Sequence, residues 1–522
     1  MAEQSPGQAP RLTRRGLLVG IGAAGGAGAM FAAMGALGLA PTGQDKEFQA
    51  PQKGDFTLTG RAGASVLILG AGVAGLTAAY ELGKAGYDCT LLEARERAGG
   101  RNLTLRGGDR LTESGSAQEI GFGDGVYFNA GPARIAPWML TLDYCRELGI
   151  PIETFVNNNG AAYVHTKGQT VRARTARADT YGYIAELLAK ATDEGRLNRR
   201  LTAEDRERLL DFLTRFGDLG ETLSYDGSPR RGMARNPGIA GGLELDPPPG
   251  TLSQVLSAGT GRAITADFSY DMAAPMFQPV GGMDRIVTAL VERVGENRIR
   301  TGVQVTKITN LGDGVEVEWQ GGKQKADYCI AALPPHLLAR IPHNLGPDVS
   351  TALAKPTPVP AGKLGLEYGR RWWELEDRIY GGITETDLDI THIWYPSHGY
   401  HAQTGLVVAY YNTDKDAELY GALSHEDRKR RALTQGKKIH GEKFRQDVLA
   451  SASIAWERQD HIKGGWVRWP VVDSSFTLLQ GPAGRVYFAG DWLTQLTAWQ
   501  AGAMESARHV VTQLHQRVMK TP

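Results

Sequence analysis

The sequence predicts an α/β fold made of a discontinuous Rossmann-like domain, a second domain with a mixed sheet, and a helical insertion. Three observations predict it. A strand, a glycine-rich turn, a helix and another strand follow one another over residues 64–93. A second apolar strand pattern, 485–490, precedes a helix that starts at about Trp499. Between them, residues 176–220 carry the periodicity of helices.

The composition is that of an ordinary globular protein. Of the 522 residues, 42% are hydrophobic and 22% are charged, and the net charge is +1. The chain therefore lacks the basic excess of a nucleic-acid-binding protein. Its three cysteines are too few, and odd in number, for a disulfide framework. His392, His398 and His401 lack the ligand spacing of a metal site, so we predict none.

The N-terminus is typical of a twin-arginine export signal. Arg14 and Arg15 precede a charge-free run, 17–40, that is rich in glycine and alanine. This run is long enough to anchor the chain in a membrane, but its composition makes a poor anchor. We assign residues 1–45 to a signal and linker, with cleavage near Ala40. The sequence thus predicts an exported protein, secreted or extracytoplasmic, without stable membrane association after cleavage.

Each element of the first unit has a local signature. Residues 64–70 are a continuous apolar run, as in a buried parallel strand. Residues 73–86 place apolar side chains at helical spacing and end at Gly86. Residues 88–93 are apolar again and close with Glu93. We therefore predict a βαβ unit.

The turn after the first strand reads GAGVAG. Gly70 permits the tight turn, Gly72 lets the backbone approach a pyrophosphate, and Gly75 allows the helix to pack closely on the strand. The helix N-terminus favours phosphates, and Glu93 can accept hydrogen bonds from ribose hydroxyls. The sequence thus predicts a dinucleotide site. Its predicted contacts are Gly70, Gly72, Val73, Ala74, Gly75, Glu93, Ala94, Arg95, Gly100 and Arg101.

Two features favour FAD over NAD at this site. Arg101 follows a second glycine pair and can neutralise a pyrophosphate. The segment YFAGD, 487–491, precedes a helix whose N-terminal dipole would favour negative charge on a reduced flavin ring. A domain that binds only a nicotinamide dinucleotide would not need a segment so far away in sequence to complete its site.

The middle of the chain contains helical patterns followed by strand patterns. In the second helical pattern Leu209, Leu213 and Phe216 share one face, and Gly217 is expected to end the helix. A Pro- and Gly-rich loop follows, and we assign 175–262 to a helical insertion. Strand patterns return over 300–335.

Six motifs together resemble the flavin amine oxidases, and within them the FAD-dependent L-amino acid oxidases of the bacterial actinomycete type. They are GAGVAGLTAAYEL with LLEARERAGGR, YFNAGPARI, FQPVGGMDRI, GKLGLEYGRRWWE and VYFAGDWLTQLTAWQAGAMESAR. The resemblance covers about residues 45–520 and implies the GR2-type flavin amine oxidase fold with non-covalent FAD. It implies three domains. These are an FAD-binding domain of 60–128, 278–350 and 476–522, a substrate-binding domain of 129–174, 263–277 and 351–475, and a helical domain of 175–262.

The resemblance also implies substrate contacts. Arg134 matches an arginine that clamps the substrate carboxylate, which suits a planar guanidinium. A tyrosine in GLVVAYYN is the second carboxylate partner. Because neighbouring strand residues face opposite sides, Tyr410 and Tyr411 cannot both serve, and we prefer Tyr411.

Other matching positions surround the reacting atoms. Trp499 and the Ala498 carbonyl match an aromatic wall and a group beside the substrate amine, and Trp466 resembles the opposite wall. Lys363 matches a lysine that holds a water near flavin N5. Met272 stands where the relatives are expected to have a polar side chain, which implies a more apolar pocket. The remaining implied FAD contacts are Gly131, Pro132, Ala133, Arg134, Val305, Gly490, Asp491, Ala498, Trp499 and Ala501.

The activity implied is oxidative deamination of L-amino acids with O2. An L-amino acid 2-monooxygenase and an amine oxidase stay open as alternatives, as does a catalytically silent flavin-binding interaction module. Amine oxidases that attach FAD to a C-terminal cysteine fit less well, because the last cysteine is Cys329. The expected partners are a small L-amino acid, O2 and, from the resemblance, a second copy of the chain in a homodimer.

Overall fold

The computed structural model describes residues 56–233, 238–239, 250–257, 261–265 and 268–520. The predicted signal and most of the Pro- and Gly-rich loop lie outside the described residues. Within those ranges, no helix has both the length and the apolar character that crossing a membrane requires.

Twenty-three strands lie in the described residues. They are β1 (Ser65–Leu69), β2 (Asp88–Leu92), β3 (Thr104–Arg106), β4 (Arg110–Glu113), β5 (Ser116–Glu119), β6 (Tyr127–Asn129), β7 (Ile152–Val156), β8 (Tyr163–Thr166), β9 (Gln169–Arg172), β10 (Pro275–Pro279), β11 (Ile299–Arg300), β12 (Val305–Asn310), β13 (Val315–Trp319), β14 (Gly322–Ala326), β15 (Tyr328–Ala331), β16 (Thr357–Val359), β17 (Ala361–Tyr368), β18 (Ile383–Thr386), β19 (His392–Trp394), β20 (Gly405–Thr413), β21 (Val448–Ala455), β22 (Trp466–Arg468) and β23 (Val486–Phe488).

The α-helices of the same ranges include several of a single turn. They are α1 (Val73–Lys84), α2 (Thr141–Leu148), α3 (Ala173–Asp193), α4 (Ala203–Gly217), α5 (Leu252–Ser257), α6 (Gly261–Ile264), α7 (Arg285–Val294), α8 (Pro335–Leu338), α9 (Pro347–Leu353), α10 (Trp372–Leu375), α11 (Asp414–Gly421), α12 (His425–His440), α13 (Ser474–Leu479) and α14 (Gln500–Lys520).

The described chain forms two compact units. The main unit comprises Pro51–Ala173 and Arg262–Pro522, and the described part of the helical unit lies within Arg174–Gly261. The helical unit therefore begins and ends one residue before the predicted 175–262. The segments predicted as FAD-binding and substrate-binding domains lie together in the main unit.

A five-stranded parallel sheet, in the order β11-β2-β1-β15-β23, forms one half of the main unit. Every one of its strands comes from the segments predicted to bind FAD. Val66 and Ile68 of β1 face a core formed with α1 and α14, and Leu67 and Leu69 face a second core formed with β12 and β13. Burial on both faces explains the continuous apolar run at β1.

A seven-stranded mixed sheet, in the order β21-β17-β20-β19-β18-β8-β9, forms the other half. β18 and β8 pair in parallel, and the remaining pairs are antiparallel. All its strands come from the segments predicted for the substrate domain. β17 lies next to the edge strand β21 and is buried along its whole length.

α4 ends at Gly217, as predicted, but the glycine itself does not cause the end. The helix stops because Asp218 adopts a left-handed φ of +54° and its N–H bonds to the Thr214 carbonyl. Gly217 is the last helical residue, and a Cβ there would come within 2.3 Å of the Ala185 Cβ. The glycine therefore serves close helix packing. The predicted apolar face is only partly buried, since Phe216 is 37% exposed.

Candidate active site

A cavity of about 1070 Å³ opens at the carboxyl edge of the parallel sheet. The residues that directly follow four of the strands line it, namely Gly70, Glu93, Ala332 and Ala489. This edge is the usual ligand position in parallel α/β sheets. All the lining residues belong to the main unit.

Glycine stands at three positions of the β1–α1 turn for different physical reasons. Gly70 has a φ of +95°, and a Cβ there would lie 2.8 Å from the Ala332 carbonyl oxygen. A Cβ on Gly75 would lie 2.0 Å from the Gly70 carbonyl oxygen. Gly72 has an ordinary φ of −74°, and a Cβ there would meet no atom within 4 Å. The fold therefore needs Gly70 and Gly75, whereas Gly72 only keeps cavity space open for a ligand.

Two carboxylates are fixed beside this turn. Glu93 accepts hydrogen bonds from the N–H groups of Ala71 at 2.8 Å and Arg95 at 3.0 Å. Asp491 accepts from the Ala498 N–H at 2.8 Å and forms an ion pair with Arg101. The charge of Arg101, predicted to neutralise a pyrophosphate, is therefore already balanced by Asp491.

A cluster of two cations and two aromatic rings lines the cavity, and we call Arg134, Lys363, Trp394 and Tyr411 the cationic cluster. The Arg134 guanidinium carbon lies 4.6 Å from the Trp394 ring centre. Lys363 Nζ lies 5.1 Å from the Trp394 ring centre and 4.9 Å from that of Tyr411. The Arg134 guanidinium donates to Asn157 Oδ1 at 2.5 Å. Among the described residues, no carboxylate forms an ion pair with either cation.

Burial controls the charges of the cluster. Desolvation, and secondarily the charge of Arg134, lower the pKa of Lys363 to about 7. Lys363 Nζ donates to the carbonyl oxygens of Gly131 at 2.5 Å and Asn129 at 3.3 Å. Burial also lowers the pKa of Arg134, which still stays protonated because a guanidinium starts so high. The cluster thus combines one permanent positive charge with one that titrates near neutrality, an arrangement complementary to an anion.

An aromatic wall faces the same space. Trp499 lines the cavity, and its indole N–H donates to Asp271 Oδ2 at 3.0 Å. Ala498 precedes it with a φ of +73°, a conformation that side chains rarely adopt. Tyr270 donates to the Gln495 carbonyl at 2.6 Å. These two hydrogen bonds tie the segment before β10 to the loop before α14.

The sequence matches the family described as flavin containing amine oxidoreductase over residues 73–515. The chain belongs to this family. It is 26% identical to an L-amino-acid oxidase of Pseudechis australis over 457 residues, 84% of each chain. It is also 26% identical to an L-amino-acid oxidase of Bothrops pauloensis over 460 residues, 84% of this chain and 87% of that protein.

Solved structures share the fold of this flavin amine oxidoreductase. Cyclohexylamine oxidase from Brevibacterium oxydans IH-35A superposes with a TM-score of 0.62 at 16% identity, covering 88% of this chain and all of that one. Putrescine oxidase bound to putrescine has a TM-score of 0.57 at 18% identity, covering 88% and 99%. The fold class predicted from the sequence is thereby confirmed.

The protein is a flavin-dependent oxidoreductase, and its cofactor is FAD, as in the rest of the flavin amine oxidoreductases. The cavity fits this group. Gly72 leaves room at the start of α1, where no side chain caps the helix, so that its first N–H groups suit a pyrophosphate. Glu93 stands where a ribose can bind. All three cysteines are buried, and none of them lines the cavity.

Most residues predicted for this flavin amine oxidoreductase site line the one cavity. They are Gly70, Gly72, Val73, Ala74, Glu93, Ala94, Gly100, Arg101, Gly131, Pro132, Ala133, Arg134, Met272, Val305, Lys363, Tyr411, Trp466, Gly490, Asp491, Ala498 and Trp499.

Two predicted contacts are buried in helices instead. Gly75 lies inside the first turn of α1 and acts through packing on Gly70, as its predicted role required, without reaching the cavity. Ala501 lies in the first turn of α14 and is fully buried in the core. The helical turn places Gln500 and Ala503 at the cavity in its stead.

Two further predicted contacts point elsewhere. The Arg95 side chain donates to the Gly100 carbonyl and to Gln459, both at 3.3 Å, and does not line the cavity. Tyr410 faces the other side of β20 and packs on Tyr420, with ring centres 4.5 Å apart. Strand alternation thus selects Tyr411.

Among the residues that sequence reasoning missed are Trp394 and Asp271, which line the cavity, and Asn157, which binds Arg134. Trp394 lies at the end of the short strand β19, where a single tryptophan carries no signal beyond core packing. Asn157 directly follows β7 and matches no motif. Asp271 precedes Met272 in the segment that was already singled out, so its charge was the one available signal.

Proposed function

We propose that this flavin oxidoreductase deaminates L-amino acids: L-amino acid + O2 + H2O gives 2-oxo acid + NH3 + H2O2. The observation that carries the proposal is the cationic cluster. Arg134 lines the cavity, and among the described residues no carboxylate forms an ion pair with it. A buried cation without an anion is costly, and the carboxylate of an amino acid supplies the missing charge.

Each member of the cluster has a task in this reaction. Arg134 offers parallel N–H donors to the carboxylate, and Tyr411 offers a hydroxyl on the same wall, because burial raises its pKa and keeps it protonated. Trp394 packs on both cations and limits their movement. Fixing the carboxylate orients the Cα–H bond and the amine beside it.

FAD, when bound, supplies the oxidising power by accepting a hydride from the substrate Cα and returning two electrons to O2. The chain contributes orientation of the substrate. No side chain has to remove a carbon-bound proton, because the amine lone pair assists departure of the hydride. Lys363, with a pKa of about 7, can exchange protons at the same wall. Water then hydrolyses the imino acid to the 2-oxo acid and ammonia.

The comparisons support this choice without deciding the substrate. The relatives at 26% identity are L-amino-acid oxidases, whereas the structural neighbours are oxidases of cyclohexylamine and putrescine. An amine without a carboxylate would leave Arg134 unpaired. A monooxygenase that decarboxylates its substrate would use the same arginine and stays the second candidate.

Purified protein with FAD tests the proposal when H2O2 and 2-oxo acid are measured against L-amino acids, their D-isomers and simple amines. We expect turnover of L-amino acids with stoichiometric peroxide. Arg134→Met should lower kcat/KM by about 100-fold or more, as expected for loss of a buried charge partner. Arg110→Met, at an exposed ion pair, is the matched control and should change nothing. Turnover of amines alone, or an amide product without peroxide, would refute the proposal.

A further inference from the structure

One carboxylate of the cavity, Asp271, has neither a paired cation nor a backbone N–H donor among the described residues. Of the four acidic side chains that line the wall, Glu93 is held by two backbone N–H groups, Asp491 pairs with Arg101, and Asp460 pairs with Lys463 at 2.7 Å. In the described part of the chain, Asp271 forms no ion pair. Its charge acts on Arg134 without a direct ion pair, so Asp271 can still take a contacting partner from solvent or from a ligand.

The hydrogen bonds of Asp271 orient it and leave acceptor positions open. Its Oδ2 accepts from the Trp499 indole N–H at 3.0 Å, and its Oδ1 accepts from the Ser269 hydroxyl. Two carboxylate oxygens have about four acceptor positions, so two such bonds do not exhaust them. The remaining capacity suits an ammonium or guanidinium group.

A short path of contacts joins Asp271 to the carboxylate clamp. Arg134 donates to Asn157 Oδ1, and Asn157 Nδ2 donates to the Ala273 carbonyl at 3.0 Å. Ala273 is two residues from Asp271, and two residues span at most roughly 7 Å. Both charges also line the same cavity. One small molecule can therefore engage Arg134 and Asp271 at once.

The wall beside these two charges is apolar. Met272 and Trp499 pack against the hydrophobic core on one side and face the cavity on the other. Trp394 is close to both cations of the cluster. The methylene stem of a long basic side chain gains from such contacts while its charged end reaches a polar group.

We propose that Asp271 makes the pocket select L-amino acids with a cationic side chain, such as lysine, ornithine or arginine. The inference rests on the proposed amino acid oxidation. With the carboxylate on Arg134, the side-chain cation on Asp271 and the α-amine neutral for oxidation, the charges of Arg134 and Asp271 are both paired. A substrate with an apolar side chain would not provide Asp271 with this partner, and its affinity would lack that contribution.

The test compares lysine with norleucine, whose side chain lacks only the terminal ammonium group. We expect the native protein to have a kcat/KM at least tenfold higher for lysine, and Asp271→Asn to remove most of that ratio. Asparagine can still accept from Trp499, so norleucine turnover should persist. Asp271→Glu retains the negative charge, so this variant should still prefer lysine over norleucine. Asp211→Asn, at an exposed ion pair of α4, is the matched control.

A binding measurement separates this inference from the proposed function. Titrating the oxidised holoenzyme with hexanoate and with 6-aminohexanoate, followed by flavin absorbance, should show tighter binding of 6-aminohexanoate, which Asp271→Asn abolishes. Equal affinities, or an equal loss of activity on lysine and norleucine in Asp271→Asn, would overturn the inference and leave Asp271 as a support for Trp499. Failure to oxidise any L-amino acid would refute the proposed function instead.

Discussion

Lys363 shows how burial can turn an ordinary amine into a group that titrates near neutrality. It sits in the middle of a fully buried strand, and its ammonium group meets two carbonyl oxygens and two aromatic rings. None of these neighbours carries a negative charge, so they do not replace the hydration that the charged ammonium group loses on burial. The pKa of about 7 follows from that environment. At this scale the chemistry depends on surroundings that a motif does not encode.

The charge of Lys363 should make the affinity of the cavity for anions depend on pH. Below pH 7 the amine is protonated and attracts a carboxylate, and above pH 7 it is neutral. Hexanoate should therefore bind more weakly at pH 8.5 than at pH 6, by up to roughly tenfold, the effect of one pKa unit. Flavin absorbance titrations at both values measure this. In Lys363→Met the difference should vanish, while Lys355→Met, at a half-exposed ion pair with Asp473, should keep it.

Single residues were predictable only where a motif or a rule of geometry constrained them. Arg134 and Trp499 came from family motifs, and strand alternation placed Tyr411 on the correct side. Asn157 follows β7, which pairs with the distant strand β10, and Trp394 pairs with Val408 of the next strand, β20. Local patterns carry no information about such pairing, so these residues could not be found.

Among the elements, the β1–α1 turn separates the requirements of folding from those of binding. A Cβ added to Gly70 or Gly75 would meet neighbouring backbone, whereas a Cβ added to Gly72 would meet no atom within 4 Å. A substitution series on one turn can therefore distinguish a folding defect from a cofactor defect.

Gly72→Ala should fold normally and lose FAD. Its Cβ would enter space that a pyrophosphate needs, while the apoprotein should change in unfolding free energy by no more than about 1 kcal/mol. Gly75→Ala should destabilise the apoprotein by about 1–3 kcal/mol, because its Cβ would overlap the Gly70 carbonyl oxygen. Flavin content and thermal unfolding of the apoprotein measure both effects. Full flavin content in Gly72→Ala would contradict the assignment.

The elements themselves were partly predictable. β1, α1, β2 and β23 follow from apolar runs with glycine punctuation, and they lie within one or two residues of the predicted bounds. β14, of sequence GKQKA, was not predicted, because it is an edge strand with polar side chains that pairs with β13. Its position depends on the neighbouring hairpin strand, since its own sequence lacks any apolar alternation.

At the scale of the whole molecule, the cavity lies where segments from much of the main unit come together. Its lining runs from Gly70 to Ala503 and draws on both large sheets. None of the lining residues comes from the helical unit. Binding of FAD should therefore stabilise the two units unequally.

Removal of FAD should loosen the main unit selectively. A ligand stabilises the state that binds it, by about 4 kcal/mol at a concentration 1,000 times its dissociation constant. Amide hydrogen exchange of holoprotein and apoprotein should show faster exchange in β1, β15 and β23 of the apoprotein. The helices α3 and α4 serve as the internal control and should exchange alike in both forms. Equal acceleration in α3 and α4 would contradict this assignment of the cofactor to the main unit.

The order of the central strands has a further consequence for biosynthesis. β1 emerges from the ribosome early, but its neighbour β15 and the next strand of the sheet, β23, follow some 260 and 420 residues later. A nascent chain thus holds a glycine turn without the walls that enclose a cofactor. The last lining residue, Ala503, belongs to α14. The walls of the cavity are therefore complete only after α14 has been made, and a flavin can be enclosed only from that point on.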